Sequence, residues 1–252
     1  MKMKNVKIYG LSVLNKIIHL QFNLRFYYFV KLRRKLKFFK FSNSNEILEP
    51  TIEHNLKSLK QRNSRMNGLI KPLKAIELLN EESKILVIGP RNENDLFLLS
   101  MDGFKNVIGI DLISYSPLIQ LGDMHELTAY FETSFFDVVL CGWTLSYSTN
   151  PEKVISEIVS VVKPNGIIGI GVEYAIDDPS LDFEWKKLDG YVLTERDKLR
   201  DRINSVTQIK NLIGENLGDI YFQHDAPLKN AHLPHLMVDK PSSVCLICSV
   251  LK

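Results

Sequence analysis

The stretch from Lys84 to Asp111 constrains the fold of this chain more than any other part of it. It opens with an apolar run, Ile85–Gly89, that has the length of a buried strand and is followed by a polar turn. An apolar helical pattern then ends at Gly103, and a second buried run ends at Asp111. This order predicts half of a nucleotide-binding α/β unit, in which Asp111 accepts the hydroxyls of a ribose.

The rest of the body continues the alternation of strands and helices. Two apolar runs, Phe136–Cys141 and Ile167–Val172, have the length of buried strands. Between them lies a helical pattern that begins at Asn150 or Pro151. The alternation predicts an α/β fold with a doubly wound, Rossmann-like, mostly parallel sheet.

The connections of this sheet are uneven in length. Only 11 residues separate Asp111 from Asp123, so the strand expected there is short and lies at an abbreviated edge. Residues 173–203 are polar and aromatic and are interpreted as an excursion from the core. A helix at 205–217 and two late strands at 219–224 and 243–251 are expected to complete the body.

The front of the chain differs in charge from the body. Residues 1–45 contain 11 Lys or Arg and no Asp or Glu, whereas the remainder is acidic. Apolar residues recur every three or four positions from Leu11 to Phe39, which predicts a basic amphipathic helical extension. Such a helix suits an anionic membrane surface or a protein partner, and the alternative is that it packs on its own domain. Residues 46–69 are interpreted as a linker and residues 70–252 as the body domain.

The three cysteines indicate a reducing compartment, since they are too few for a disulfide framework. Cys245 and Cys248 lie in an apolar run, where their spacing puts the two thiols on opposite faces of a strand. The spacing of His224, His232 and His235 matches no standard zinc pattern, so no metal site is predicted. No apolar run reaches the roughly 18 residues of a membrane span. We therefore expect a cytoplasmic protein, with peripheral membrane attachment through the extension as an open alternative.

This order of features resembles the class I S-adenosylmethionine-dependent methyltransferases, of methyltransferase type 11, over about residues 70–250. Gly89 matches the first glycine of the family's cofactor loop, Asp111 the acid that holds the ribose, and Asp123 the loop that reads adenine. Phe136–Val139 matches the fourth strand. The resemblance implies S-adenosyl-L-methionine as cofactor and a seven-stranded sheet with one antiparallel strand, which the late pair would supply. The implied cofactor-binding residues are Gly89, Pro90, Arg91, Asp111, Leu112, Asp123, Met124 and Trp143.

The loop after the first strand departs from the family pattern. Only Gly89 remains of its glycines, and Arg91 and Glu93 stand at the positions of the others. Either Arg91 pairs with the methionine carboxylate of the cofactor, or cofactor binding has been weakened or lost, or this is simply a solvated turn. Glu93 and Asp95 are expected to repel the diphosphate of a dinucleotide and to suit a sulfonium, which favours a methyl donor over NAD.

Methyl transfer requires in-line positioning and, for some acceptors, removal of a proton. The candidate catalytic residues are His125 as general base, Glu173 at the end of the fifth strand, and Tyr147 beside the acceptor. His125 has an adenine contact or a surface position as its alternatives. The Asn/Asp-Pro-Pro-Tyr signature of nucleic-acid amino methylases is replaced by residues 141–144, Cys-Gly-Trp-Thr, so DNA is not an expected acceptor.

The resemblance therefore implies a methyltransferase that acts on a small-molecule or glycan-type acceptor. Two other functions stay open at this stage. One is a catalytically silent methyltransferase-fold binding module, for which the altered glycine loop would be the sign. The other is a membrane-surface protein in which the basic extension is the functional part.

Overall fold

The computed structural model describes residues 16–17, 19–40, 52, 55–62, 65–148, 150–173, 203, 205–224 and 243–252. Most of the predicted excursion at 173–203 lies outside these residues, as do His232 and His235. Within them, no helix is both long enough and apolar enough to cross a membrane.

The described residues form nine strands, four α-helices with described bounds, and further helical turns at residues 19–26 and 55–58. The strands are β1 (Lys37–Phe38), β2 (Lys84–Ile88), β3 (Asn106–Asp111), β4 (Ile113–Ser114), β5 (Ile119–Leu121), β6 (Phe136–Gly142), β7 (Val162–Glu173), β8 (Leu217–His224) and β9 (Ser243–Val250). The α-helices are α1 (Asn67–Leu73), α2 (Asn94–Met101), α3 (Pro151–Val161) and α4 (Val206–Ile213). Short 3₁₀-helices span Met124–Ala129, Leu145–Tyr147 and Gly214–Asn216, and a π-helical turn spans Tyr27–Leu32.

Seven strands form one sheet in the order β5-β3-β2-β6-β7-β9-β8. All neighbours in it are parallel except at β9, which runs antiparallel to both β7 and β8. The predicted doubly wound sheet with one antiparallel strand is therefore confirmed. The chain leaves β2 toward β3 on one side and returns to β6 on the other, so the strand order reverses between β2 and β6. In such sheets, ligands bind outside the carboxyl ends of the strands at this point.

Alternate residues of the strands divide the core into two layers. Ile85 and Val87 of β2 pack with α1 and α2 on one face, and Leu86 and Ile88 pack with α3 and α4 on the other. Cys245 and Cys248 belong to opposite layers, as their spacing predicts. Burial raises the pKa of Cys245 to about 11 and that of Cys248 to about 12, so both remain neutral thiols near pH 7.

Local signals in the sequence explain where the helices begin and end. The Asn150 side chain accepts the backbone N–H of Lys153 and caps α3, whose first residue is Pro151. Gly103, with a φ of 103°, follows the end of α2 as predicted. Helix α1 begins at Asn67, so the boundary expected at residue 70 falls inside this helix.

The N-terminal segment, which we define as the described part of residues 16–40, packs against the body. Residues 19–26 are helical and continue into the π-helical turn, and Phe22 and Phe26 are buried. The ring of Phe26 contacts that of Tyr115 edge to face, with 5.6 Å between centroids. The helix ends earlier than its apolar pattern predicts, because the chain turns at Arg34 (φ 48°) and β1 then pairs antiparallel with β4. Own-domain packing, the alternative in the sequence analysis, is thus observed for this face.

Candidate functional site

Asp111 lies at the carboxyl end of β3 and is held by backbone donors. Its Oδ2 accepts the N–H of Arg91 at 2.8 Å, and its Oδ1 accepts the N–H of Ile113 at 3.0 Å. Burial raises the pKa of Asp111 to about 6, against the lowering effect of these two hydrogen bonds. A carboxylate oxygen has two lone pairs, so each oxygen can still accept a ligand hydroxyl. The turn after β2 and the acid at the end of β3 thus form one unit.

The turn after β2 has an unusual backbone. Gly89 adopts a φ of 65°, and a Cβ at this position would clash with Oγ1 of Thr144, so the Thr144 side chain lies directly over the glycine. Arg91 has a φ of 57°, a conformation that costs a non-glycine residue on the order of 1 kcal/mol or more. Pro90 packs against Gly109 of β3. The guanidinium of Arg91 has no hydrogen-bond or ion-pair partner among the described residues, and its charge lowers the pKa of Asp111.

Glu93 does not face a ligand, contrary to the sequence prediction. Its side chain is 0% exposed and receives two nitrogens of Arg25, with Nη2 at 2.7 Å from Oε1 and Nε at 3.0 Å from Oε2. The backbone N–H of Glu93 donates to the hydroxyl of Tyr115 at 3.1 Å. The turn is therefore not solvated at this position. Its acid is neutralised by a cation of the N-terminal segment, 68 residues earlier in the chain.

Asp95 is also withdrawn from the edge of the sheet. It is buried, and its Oδ1 accepts the side-chain amide of Asn94 at 3.0 Å. Burial raises the pKa of Asp95 to about 7, which Asn94 and the charge of Arg91 oppose. With Glu93 paired and Asp95 buried, the expected repulsion of a diphosphate and attraction of a sulfonium by these two acids is wrong. Discrimination against NAD must rest on other groups.

Asp123 and His125 form a chain of hydrogen bonds with Ser148. Oδ1 of Asp123 lies 2.6 Å from Nδ1 of His125 and accepts the His125 backbone N–H at 3.0 Å. Nε2 of the same ring lies 2.8 Å from Oγ of Ser148, which also accepts the N–H of Asn150. Burial acts to raise the pKa of Asp123, but the hydrogen bonds from His125 outweigh it, so the pKa lies below its usual range. Oδ2 of Asp123 accepts no hydrogen bond from any residue that the structure describes.

The loop that carries Asp123 is fixed to α3. Glu157 of α3 is buried and accepts both the backbone N–H and the hydroxyl of Thr128, each at 2.8 Å. Lys153 pairs with the other oxygen of Glu157 at 2.8 Å. Leu127, on the same 3₁₀-helix, is fully buried against α3 and its neighbours. The loop is thus held on both sides, and the orientation of Asp123 is set before any ligand binds.

The chain after β6 contributes Trp143 and Tyr147. Trp143 has a φ of 60°, and its backbone N–H donates to the carbonyl of Gly171 at 2.6 Å. Its ring packs toward Gly68 and Gly171, and its Nε1 is buried without a hydrogen-bond partner among the described residues. Tyr147 closes the 3₁₀-helix Leu145–Tyr147 and is partly exposed. A strained aromatic residue with an unpaired N–H fits a functional position at this edge.

The structure places nearly all predicted residues at one edge of the sheet, the carboxyl end of β2, β3, β5 and β6. Leu112 follows Asp111, and its carbonyl accepts the N–H of Phe39 at 2.9 Å. Met124 packs at the border of the layer that contains α3. Glu173 ends β7 and pairs in register with Ser243, but its side chain lies outside the described part of the chain.

Three residues at this edge escaped the sequence analysis: Arg25, Thr144 and Ser148. Arg25 could have been found, since it lies three residues after Phe22 and four before Phe29, on the apolar face of the helix where a cation requires a partner. Thr144 and Ser148 carry no comparable signal. Their roles depend on contacts with residues 55 and 23 positions away.

Comparison with known proteins identifies the central part of the chain. Residues 88–170 match the family model described as a methyltransferase domain. The match runs from the last residue of β2 into β7, and it includes Asp111, Asp123 and Trp143. This stretch, about a third of the chain, is similar to a methyltransferase domain. Among curated proteins, none matches the sequence.

Solved structures share the fold of this chain at low sequence identity. The proposed methyltransferase of Haloferax volcanii, in complex with the Trm112 methyltransferase activator, is 13% identical, with a TM-score of 0.56, 84% of this chain covered and 100% of the other. The (4+2)-cyclase SpnF is 14% identical, with a TM-score of 0.55 and coverage of 86% and 98%. The PH0226 protein of Pyrococcus horikoshii OT3 is 17% identical, with a TM-score of 0.51 and coverage of 74% and 89%. These likenesses establish the fold and leave the activity open.

Proposed function

We propose that this chain is an S-adenosylmethionine-dependent methyltransferase that acts on a small-molecule or glycan-type acceptor. The observation that supports it most is the pair of carboxylates Asp111 and Asp123 at the ends of β3 and β5. Each is fixed by hydrogen bonds within the chain and keeps acceptor capacity for a ligand. They follow neighbouring parallel strands, an arrangement that suits a ribose and an adenine of one nucleoside.

The residues present fit the adenosine part of the cofactor. In the proposal, Asp111 accepts the ribose hydroxyls, and the unpaired Oδ2 of Asp123 accepts the exocyclic amine of adenine. The uncommitted guanidinium of Arg91 supplies the charge for a methionine carboxylate, in place of the missing glycines. Bound there, S-adenosylmethionine supplies an electrophilic methyl group on its sulfonium. The remaining residues proposed to line this site are Gly89, Pro90, Leu112, Met124 and Trp143.

His125 is suited to receive a proton in this proposal. Its Nδ1–H donates to Asp123, which leaves Nε2 as the acceptor that faces the hydroxyl of Ser148. A proton from an acceptor hydroxyl or amine could reach His125 directly or through Ser148, and Asp123 would stabilise the resulting imidazolium. Tyr147, partly exposed on the same turn, is proposed to orient the acceptor, and Glu173 is the second proposed base.

The location proposed for this enzyme is the cytoplasm. All three cysteines are free and buried, which suits a reducing compartment. The methyl acceptor is proposed to be neither DNA nor a DNA base, because the signature of the nucleic-acid amino methylases is replaced by residues 141–144.

A catalytically silent binding module is the second candidate function, and the turn after β2 favours it. That turn retains one glycine, and the N-terminal segment packs Arg25 against it. A cyclase shares this fold, so the architecture does not require methyl transfer. Retained affinity for S-adenosylmethionine is the property that separates an active cofactor site from a silent one.

Calorimetric titration of S-adenosylmethionine, and separately of NAD, into the full-length protein tests the proposal. We expect a dissociation constant in the micromolar range, about −8 kcal/mol, for the methyl donor only. Asp111→Asn and Asp123→Asn should each weaken binding by about tenfold or more. Asp219→Asn is the matched control, since Asp219 is an exposed acid near the start of β8 at the opposite edge. Absence of heat with the methyl donor would support the binding module. Heat with NAD alone would make NAD, in place of S-adenosylmethionine, the cofactor.

A further inference from the structure

The helix of the N-terminal segment carries two apolar faces, and only one of them is covered. Phe22 and Phe26 point into the body and are buried. A second set of apolar residues, spaced by three or four positions, is exposed on the other side of the helix and of the π-helical turn. This outward row consists of Ile17, Leu20, Leu24, Tyr27, Tyr28 and Leu32. The apolar periodicity of the sequence predicts a single face and does not separate the two.

The outward row is large for a surface that meets only water. Leu24 is 61% exposed and Tyr27 is 64% exposed, and their neighbours in the row are similar. Single exposed apolar residues are common on proteins, but a continuous row marks a site of interaction. The inward face is anchored by Phe22, Phe26 and the Arg25–Glu93 ion pair. The outward row is therefore exposed in the native structure, and no part of the segment has to unfold to make it accessible.

Exposed cations lie on the same segment as the outward row. Seven of them lie within the described part of residues 16–40, and none forms an ion pair with a described residue: Lys16, Lys31, Arg33, Arg34, Lys35, Lys37 and Lys40. Residues 1–45 contain no acidic side chain at all. The surface therefore combines projecting apolar side chains with unbalanced positive charge.

We propose that the outward row and its cations form a binding surface for an anionic lipid bilayer. A bilayer interface offers both parts of the complement, since acyl chains take up apolar side chains and anionic headgroups attract Lys and Arg. A second copy of this chain fits less well, because pairing this face with itself would bring seven cations against seven others. Nucleic acid would satisfy the cations but would leave the apolar side chains in water.

The proposal is independent of the proposed methyl transfer, since it rests on the outer face of the segment. The same segment reaches the catalytic edge from its inner side, where Arg25 pairs with Glu93. Lipid binding would thus hold the proposed cofactor site close to the bilayer surface.

Co-sedimentation of the full-length protein with vesicles tests the proposal. Vesicles of phosphatidylcholine are compared with vesicles that also contain phosphatidylserine. We expect the apparent affinity for the anionic vesicles to be about tenfold higher or more, and to fall as the salt concentration rises. Equal binding to both kinds of vesicle, or to neither, would overturn the proposal.

Two pairs of variants separate the apolar and the charged contributions. Leu24→Ser with Tyr27→Ser should weaken binding to anionic vesicles by about tenfold or more, whereas Leu78→Ser should not, although Leu78 is 66% exposed on the body. Lys31→Glu with Lys35→Glu should weaken it to a similar extent. Lys57→Glu with Lys71→Glu makes the same change of charge at exposed positions outside the segment and should have a smaller effect.

Three further results would contradict lipid binding at this surface. Unchanged vesicle binding by the Leu24/Tyr27 variant, with an unaltered unfolding midpoint, would show that the row does not contribute. A dimer in lipid-free solution that this variant abolishes would assign the row to a second copy of the chain. Binding to an RNA oligonucleotide that is stronger than binding to vesicles, and that the variant retains, would assign the cations to nucleic acid.

Discussion

The ion pair between Arg25 and Glu93 gives the most direct test of how the N-terminal segment is held. Arg25→Met removes the guanidinium, which also lies over the rings of Phe29 and Phe97, and keeps most of the aliphatic stem. Glu93 then retains a carboxylate in a position where its side chain is 0% exposed. No second cation among the described residues forms an ion pair with Glu93.

The expected cost is about 3 kcal/mol of unfolding free energy. Removal of one partner from a buried pair typically costs about 3–5 kcal/mol, because the other charge stays buried without compensation. The lower end applies here, since the Arg25 side chain is 31% exposed and part of its interaction is screened by water. Detachment of the segment would let Glu93 reach solvent and would limit the loss, and it would also speed amide hydrogen exchange in residues 19–32.

Urea unfolding and hydrogen exchange together measure this effect. Arg33→Met is the matched control, because Arg33 lies on the same segment, is exposed and has no ion pair with a described residue; its cost should stay within about 0.5 kcal/mol. Arg25→Met combined with Glu93→Met should recover about 2 kcal/mol or more, since no unpaired charge remains. An Arg25→Met protein that behaves like the control in both measurements, or a double variant no more stable than the single one, would contradict this role of the ion pair.

Three other predictions follow from the buried acids and the turn after β2. Burial raises the pKa of Asp95 to about 7, so the native state binds a proton that the unfolded state releases, and stability should fall as the pH rises from about 4 to about 7. Asp95→Asn should flatten this profile and increase the unfolding free energy at pH 8 by about 2 to 4 kcal/mol, as measured by urea unfolding at several pH values. The pKa of Asp111 is about 6, so calorimetry should show affinity for S-adenosylmethionine falling below that pH, by up to about tenfold per pH unit, and Asp111→Asn should remove the dependence. Gly89→Ala should lower the unfolding free energy by about 2 to 4 kcal/mol, because it combines a positive φ with a Cβ that clashes with Thr144. Thr144→Gly in the same chain should restore part of this stability in thermal unfolding. A pH-independent stability of the wild type, a pH-independent affinity, or a fully stable Gly89→Ala protein would contradict the respective argument.

The strands of the seven-stranded sheet and their order along the chain could be predicted from the sequence, because runs of neighbouring residues encode them, whereas β1 lies within the predicted helix. Buried strands such as β2 and β6 are continuous apolar runs, and helix α3 carries its own cap at Asn150. The position of Asp111 at the end of a strand follows from the same run of residues. The family resemblance added that the late pair supplies an antiparallel strand, and β9 confirms it.

The environment of the candidate site could not be predicted in the same way. Glu93 reads in the sequence as one more polar residue of a turn, and its burial depends on a cation 68 residues earlier. Asp123 and His125 are two residues apart, yet the Ser148 hydroxyl that completes their chain comes from the loop after the next strand. The sequence shows which side chains can form hydrogen bonds, but it does not show which of them are in contact in the folded protein.

The sequence by itself thus determined the α/β order, the parallel sheet, the acid at the end of β3 and the basic character of the first 45 residues, since each is encoded in local periodicity, composition and charge. Only the tertiary structure decided which face of the N-terminal helix is buried and that Arg25 neutralises the turn after β2. It also decided that one oxygen of Asp123 accepts no hydrogen bond from the described residues. The physical reason is the same in each case. Burial and pairing are properties of contacts between distant parts of the chain, and these contacts exist only once the two layers of the core have closed on the sheet.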